Sequence, residues 1–230
     1  MDYRVVDNFL QKDFLQEIKD WAKSKEISES SQRWGKYLTN VKDVSVKIPK
    51  INKDAAVQSN ILNRIKNGTD TDEDRLLYKY HKKILGVFKI PDGWRLRNDK
   101  FTSLVYSWDL GSGILMHRDS GTAQSKNSNE ERVAFTFYLI DKWDPNWGGE
   151  LITFKGSEDK HFEEYDELEP SNVIYPKYNR LAINGPDGGW HKVSPVLNKN
   201  ISRFTIQSFL TLEKIKKHKT KPVVFKRRTL

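Results

Sequence analysis

Apolar positions along this chain fall into two regimes. In the first, Phe14, Leu15, Ile18 and Trp21 share one face of 11–24, because side chains three and four apart meet on a helix. Ala56, Ile61, Leu62 and Ile65 repeat that spacing in 53–67, where Asn67-Gly68 supplies a stop. Asp70-Thr71-Asp72-Glu73 offers an N-cap for a third helix through about Leu85. Residues 3–10, YRVVDNFL, predict a short strand running into a turn. Residues 25–51 are polar apart from the alternating VSVKI at 44–48.

After Pro91-Asp92-Gly93 the period changes. Segments 101–109, 113–117, 133–140, 150–154, 172–175, 180–184, 191–197 and 203–212 are short and rich in β-branched and aromatic residues. Gly, Pro, Asn and Asp punctuate them. Such a series predicts a sandwich, jelly roll or barrel. There is no internal repeat and no low-complexity linker. The chain therefore reads as one domain over 1–230: helical N-terminal support in 1–92, a β core in 93–212 and a basic tail in 213–230. The helices are expected to buttress one face of the β core.

Composition refines this only in places. Hydrophobic content is 37%, but seven Trp, nine Tyr and eleven Phe can fill a core. No apolar run approaches the roughly 20 residues that span a bilayer. Met1-Asp2-Tyr3-Arg4 lacks the basic-then-apolar pattern of a secretion signal. With no cysteine present, the expectation is a reducing, cytoplasmic setting. The net charge is +9, yet 214–228 holds eight Lys/Arg and no acid. The remainder is close to neutral, so the tail reads as a solvated terminus rather than a nucleic-acid arm.

The candidate chemistry lies in His117-Arg118-Asp119, in His191 and in Arg203, twelve positions beyond His191. Residues i and i+2 of a strand share a face, so His117 and Asp119 can both point inward. Jelly-roll topology can bring a distant strand carrying His191 beside them. Two histidines and a carboxylate can take one face of an octahedral metal and leave three positions open. That is the donor set of non-heme Fe(II) oxygenases, although several divalent metals accept it. Taken alone, His-x-Asp is a weak signal among five histidines and 31 acids. Arg203 opens RFTIQSFL, where alternation half-buries it, and an internal salt bridge is the plain alternative for it. The four residues together favour a site.

Four ordered blocks then carry a resemblance. They are LVYSWDLGSGILMHRD at 104–119, FYLIDKWDPNWGGELITF at 137–154, PKYNRLAIN at 176–184 and HKVSPV at 191–196. In this order they resemble the 2-oxoglutarate/Fe(II)-dependent dioxygenases, specifically the prolyl hydroxylase-like branch. The likeness covers 101–210 and extends loosely to the N-terminal strand and helix. It implies a double-stranded β-helix (jelly roll) with N-terminal helices. It also implies Fe(II), 2-oxoglutarate and O2, with ascorbate as a reductant. His117, Asp119 and His191 would be the metal ligands and catalytic centre. Arg203 would bind the distal carboxylate of 2-oxoglutarate through a bidentate pair. Tyr138 would hydrogen-bond that carboxylate, with a core tyrosine as the even alternative. The chain departs from the pattern at Ile114, where many prolyl hydroxylases have tyrosine, and in LNKN at 197–200, which lengthens the stretch from His191 to Arg203.

The resemblance implies hydroxylation of an unactivated C–H with release of succinate and CO2. The first expectation for the substrate is a prolyl residue in a peptide or protein. The second is a free amino acid or small metabolite, for whose carboxylate Arg95, Arg97 and Arg118 are candidate cations. Nucleic-acid demethylation ranks last, because RFTIQSFLTLEK lacks the second arginine usual in relatives that do this. A binding-only module would need a broken triad. The polar segment 120–132 is expected to form a lid or a plain loop. Trp143, Trp147 and Trp190 either bind substrate or pack, and packing is the default.

Overall fold

The computed structural model describes residues 3–25, 27–29, 46–49, 61–117, 130–155, 169–185 and 189–215. Two antiparallel sheets form its β core. Strands β1 (Arg4–Val6), β2 (Ile27–Glu29), β3 (Val46–Pro49), β4 (Trp94–Trp108), β6 (Glu130–Tyr138), β9 (Arg180–Asn184) and β11 (Arg203–Lys214) make a seven-stranded sheet. Its order is β1-β9-β6-β11-β4-β3-β2. Strands β5 (Ile114–His117), β7 (Leu151–Lys155), β8 (Glu169–Ile174) and β10 (His191–Val193) make a four-stranded sheet in the order β5-β10-β7-β8. From β4 onward the chain passes back and forth between the sheets. This winding is the jelly roll, and it places strands far apart in sequence side by side.

Three helices cover the outer face of the larger sheet: α1 (Lys12–Lys23), α2 (Ile61–Asn67) and α3 (Asp72–Val87). The predicted stripe of α1 is buried, with Ile18 fully enclosed. Asp13 in its first turn and Lys23 in its last suit the helix dipole. α2 stops where Gly68 takes φ +67°, a left-handed conformation that suits glycine. α3 starts from Thr71, which forms a reciprocal capping box with Asp74. Asp74 also pairs with Arg64 of α2, so one carboxylate caps one helix and ties it to another. It is held down to about 2, chiefly by the Arg64 hydrogen bonds.

Alternation along β11 divides two environments. Ile206, Leu210 and Leu212 join Phe135, Phe137 and Leu181 under the helices. Arg203 and Thr205 occupy the other face, toward the smaller sheet, where Tyr138, Leu151, Ala182 and Val193 form a second cluster. Asn179 fastens the helical layer to the sheet: its amide accepts from Leu10 N–H at 2.8 Å and donates to Leu10 C=O at 2.8 Å.

The fold adds two features to the sequence reading. Strand β2 lies within a stretch read as polar connection. β4 begins at Trp94 rather than 101, because Trp94 and Leu96 pack against the helical core while Arg95 pairs with Glu213 across the ladder at 2.8 Å. Charged residues on one face of an extension masked its alternation.

His81 on α3 yields a prediction about stability. It is 5% exposed, and burial pushes its imidazole from 6.5 down to about 4. The unfolded chain takes up this proton near pH 6.5 while the folded chain resists until about 4. Stability is therefore lost as pH falls through that window, by up to about 3 kcal/mol. His81→Leu should flatten the slope. Urea midpoints at several pH values across the window read it directly, and an unchanged slope would assign it to other groups.

Candidate functional site

The interior between the sheets is where the predicted residues gather. β10 lies beside β5, and the register sets His191 directly opposite His117. Their rings are 4.3 Å apart between centres and tilted by 55°. Two imidazoles on neighbouring strands can share one cation. His191 is buried, and its Nδ1 lies 3.1 Å from the Gly189 carbonyl and 3.3 Å from the Asn184 side-chain amide. The carbonyl accepts from Nδ1–H in one tautomer and the Asn184 amide N–H donates to Nδ1 in the other, so in either state Nδ1 is held in place. Holding one ring nitrogen in this way orients the other for a metal. Tyr3 supports the same turn: its hydroxyl donates to Gly189 C=O at 3.2 Å, and its ring meets His191 edge-on at 6.2 Å.

Asp119 and Arg118 lie outside the described residues, as do 120–129 of the predicted lid and 216–230 of the basic tail. Among the described residues, no three His, Cys, Asp or Glu converge as a metal cluster. The histidine pair is the part of the predicted donor set that can be placed.

Arg203 opens β11 opposite Trp108 of β4 and is 2% exposed. The expected alternative, a salt bridge, is not what surrounds it. Among the described residues no carboxylate pairs with this guanidinium. Its Nη2 donates to the Tyr138 hydroxyl at 3.3 Å, and its Nε is buried without an acceptor. Tyr138 is wholly buried, and its ring centre lies 5.1 Å from the guanidinium carbon. An unpaired buried cation is costly, so the arrangement suits an anion from outside the chain.

Glycines clear the space around Arg203. The Gly148-Gly149 pair, φ +71° and +74°, leads into β7. A Cβ on Gly149 would meet Trp143 Cζ2 at 2.9 Å and Arg203 Cδ at 3.0 Å. Trp143 thus packs beside Arg203 and edge-on to Trp147, 5.8 Å between centres. Trp108 also flanks the arginine, its ring centre 5.6 Å from the guanidinium carbon. Sequence reading passed over Trp108, since a tryptophan in an apolar strand carries no mark that distinguishes it from core. Ile114, the departure noted above, packs between the two inner clusters. Of the cations considered for a substrate carboxylate, Arg95 is engaged by Glu213, and Arg97 stands opposite Thr211.

Residues 101–211 match the sequence profile of the 2OG-Fe(II) oxygenase superfamily. Over those residues the chain is similar to that superfamily. Solved structures share the fold. A Pseudomonas putida prolyl-4-hydroxylase is 14% identical with a TM-score of 0.52, over 94% of this chain and 93% of its own. A Trichoplax adhaerens prolyl hydroxylase, in complex with a peptide fragment of the hypoxia inducible factor oxygen degradation domain, is 16% identical with a TM-score of 0.56, over 90% and 82%. No curated protein sequence matches the chain. Similarity to the 2OG-Fe(II) oxygenases implies Fe(II), 2-oxoglutarate and O2. The residues present fit such a set: a histidine pair on facing strands, and a buried arginine that lacks a counter-ion among the described residues. No helix among the described residues is long and apolar enough to cross a membrane.

Proposed function

We propose that this oxygenase hydroxylates a prolyl residue in a peptide or protein. The observation that carries the reading is Arg203, buried without a carboxylate beside Tyr138 in the same interior as the His117–His191 pair. A buried cation and two imidazoles in one interior suit a dicarboxylic co-substrate held at both ends. The prolyl assignment draws on the two prolyl hydroxylases that share the fold.

When bound, Fe(II), 2-oxoglutarate and O2 supply the oxidising power that hydroxylates an unactivated C–H and releases succinate and CO2. The chain does the rest. His117, His191 and Asp119 would hold the metal and leave positions open. Gly189 and Asn184 hold the His191 ring in place. Arg203 and Tyr138 anchor the distal carboxylate and so orient the co-substrate. Leu151, Val193 and Ala182 line the interior with apolar surface, which keeps water from the charges and strengthens them. Ascorbate belongs to this reading as a reductant that restores the ferrous state.

A second reading, a free amino acid or small metabolite as substrate, needs a cation for the substrate's own carboxylate. Arg95 is held by Glu213, which weighs against that residue. The test is succinate formation by Fe(II)-loaded protein with 2-oxoglutarate and O2, with proline-rich peptides set against free amino acids. Slow succinate formation is expected, lost on chelating iron and stimulated several-fold by peptide. Stimulation by a free amino acid alone would select the second reading. Absence of both turnover and 2-oxoglutarate binding would overturn the oxygenase chemistry.

A further inference from the structure

Three buried N–H groups lack an acceptor, one on the Arg203 guanidinium and two on the tryptophans that flank its side chain. They are Arg203 Nε, Trp108 Nε1 and Trp143 Nε1. Trp108 is 5% exposed and stands opposite Arg203 in the β4–β11 register. Trp143 approaches from the β6–β7 connection, and a Cβ on Gly149 would touch both its Cζ2, at 2.9 Å, and Arg203 Cδ, at 3.0 Å. In an indole, Cζ2 is bonded to the carbon that carries Nε1, so the N–H lies on the edge that bears Cζ2. The Tyr138 hydroxyl accepts from Arg203, which leaves its own proton to donate.

A buried donor without an acceptor has given up its hydration for nothing, and native interiors hold few of them. One orphan can be a packing accident. Two orphaned indoles and a phenol beside a buried cation with an orphan of its own describe a socket built of donors. Its complement is a group with only acceptors and one negative charge. A carboxylate offers two oxygens with about four lone-pair sites and no donor, which matches the four groups.

We propose that Trp108 and Trp143 donate their indole N–H groups to the terminal carboxylate of the co-substrate, beside Arg203 and Tyr138, and so set the preference for a dicarboxylic 2-oxo acid. This rests on the co-substrate reading above and adds two specificity-determining residues to it. The preference follows because a site that buries donors rejects a ligand unable to satisfy them.

Trp108→Phe and Trp143→Phe remove the donors and keep aromatic packing. The experiment is calorimetric titration of Mn(II)-loaded protein without O2. The ligands are 2-oxoglutarate and 2-oxopentanoate, which has the same carbon chain without the terminal carboxylate. Each variant should weaken 2-oxoglutarate by roughly tenfold or more, as for a hydrogen bond to a charged group. Competition by 2-oxopentanoate should stay as in the parent protein. The melting temperature of the ligand-free variants should not fall, because no hydrogen bond is lost without ligand. A 2-oxoglutarate affinity within twofold of the parent in both variants overturns the proposal, and so does an equal loss for the two acids. If the parent protein itself fails to bind 2-oxoglutarate, the co-substrate reading fails first; normal parental binding with insensitive variants removes only the tryptophan roles.

Discussion

Replacing Arg203 with methionine should abolish useful 2-oxoglutarate binding without destabilising the ligand-free protein. The side chain is 2% exposed and has a phenol but no carboxylate for a partner among the described residues. In the ligand-free state it is a desolvated cation, and removing it relieves a cost. In the complex it meets a carboxylate in a water-poor interior. Truncating such a buried charged partner costs about 2–5 kcal/mol, or roughly thirty- to several-thousand-fold in Kd. The melting temperature without ligand should hold or rise, while the stabilisation conferred by 2-oxoglutarate should vanish. Calorimetry and thermal melts on one preparation separate the two effects. Loss of stability without ligand would mean that Arg203 serves the fold instead. His191→Ala is the contrasting variant. It leaves Arg203 in place and should fail at metal binding, so 2-oxoglutarate affinity should no longer respond to added Mn(II).

The second large effect concerns a single methyl group. A Cβ on Gly148 would lie 2.0 Å from the Pro195 carbonyl oxygen and 3.0 Å from Leu197 Cγ, at φ +71°. Backbone cannot swing aside as a side-chain end can. Leu197 N–H donates to Trp147 C=O at 2.7 Å, and Gly149 N–H to Pro195 C=O at 3.2 Å, so moving either segment breaks the bonds that hold the other. Strain at such a φ costs about 1–3 kcal/mol and overpacking adds a similar amount. Gly148→Ala should therefore lose about 4 kcal/mol, an exceptional value for one methyl. Gly68→Ala is the control. Gly68 has φ +67° with nothing within 4 Å of a Cβ, so it should show the strain cost alone, near 1 kcal/mol. Urea midpoints of the two variants measure the difference. Equal losses would show that the 147–149 turn can relax away from Pro195.

The sequence carried much of this arrangement because period and punctuation are local. The α1 stripe, the Gly68 stop, the Thr71 cap and strands such as β9 could be read from neighbours three or four positions away. Pairing could not. That His117 faces His191 follows from the strand register, which is decided by contacts across most of the β core. The state of Arg203 was hidden for a related reason. With 31 acids in the chain, only three dimensions reveal that none of the described ones reaches it. Trp108 and Trp143 were legible as apolar bulk, and their donors acquire meaning only from what fails to meet them. Asp119 lies outside the described residues, so its part rests on the His-x-Asp spacing and the family pattern.

The place of β5 has a consequence for how the barrel stays closed. Strand Ile114–His117 is four residues long and ends the smaller sheet, with β10 as its ladder partner. So short an edge has few backbone bonds with which to resist fraying. A cation shared by His117 and His191 would join that edge to its neighbour at the register point where the ladder begins. The reaction centre would then double as a seam. Taking the metal away would loosen the margin of the smaller sheet first, and amides of β5 would exchange with solvent sooner than those of β6 or β11 in the middle of the larger sheet.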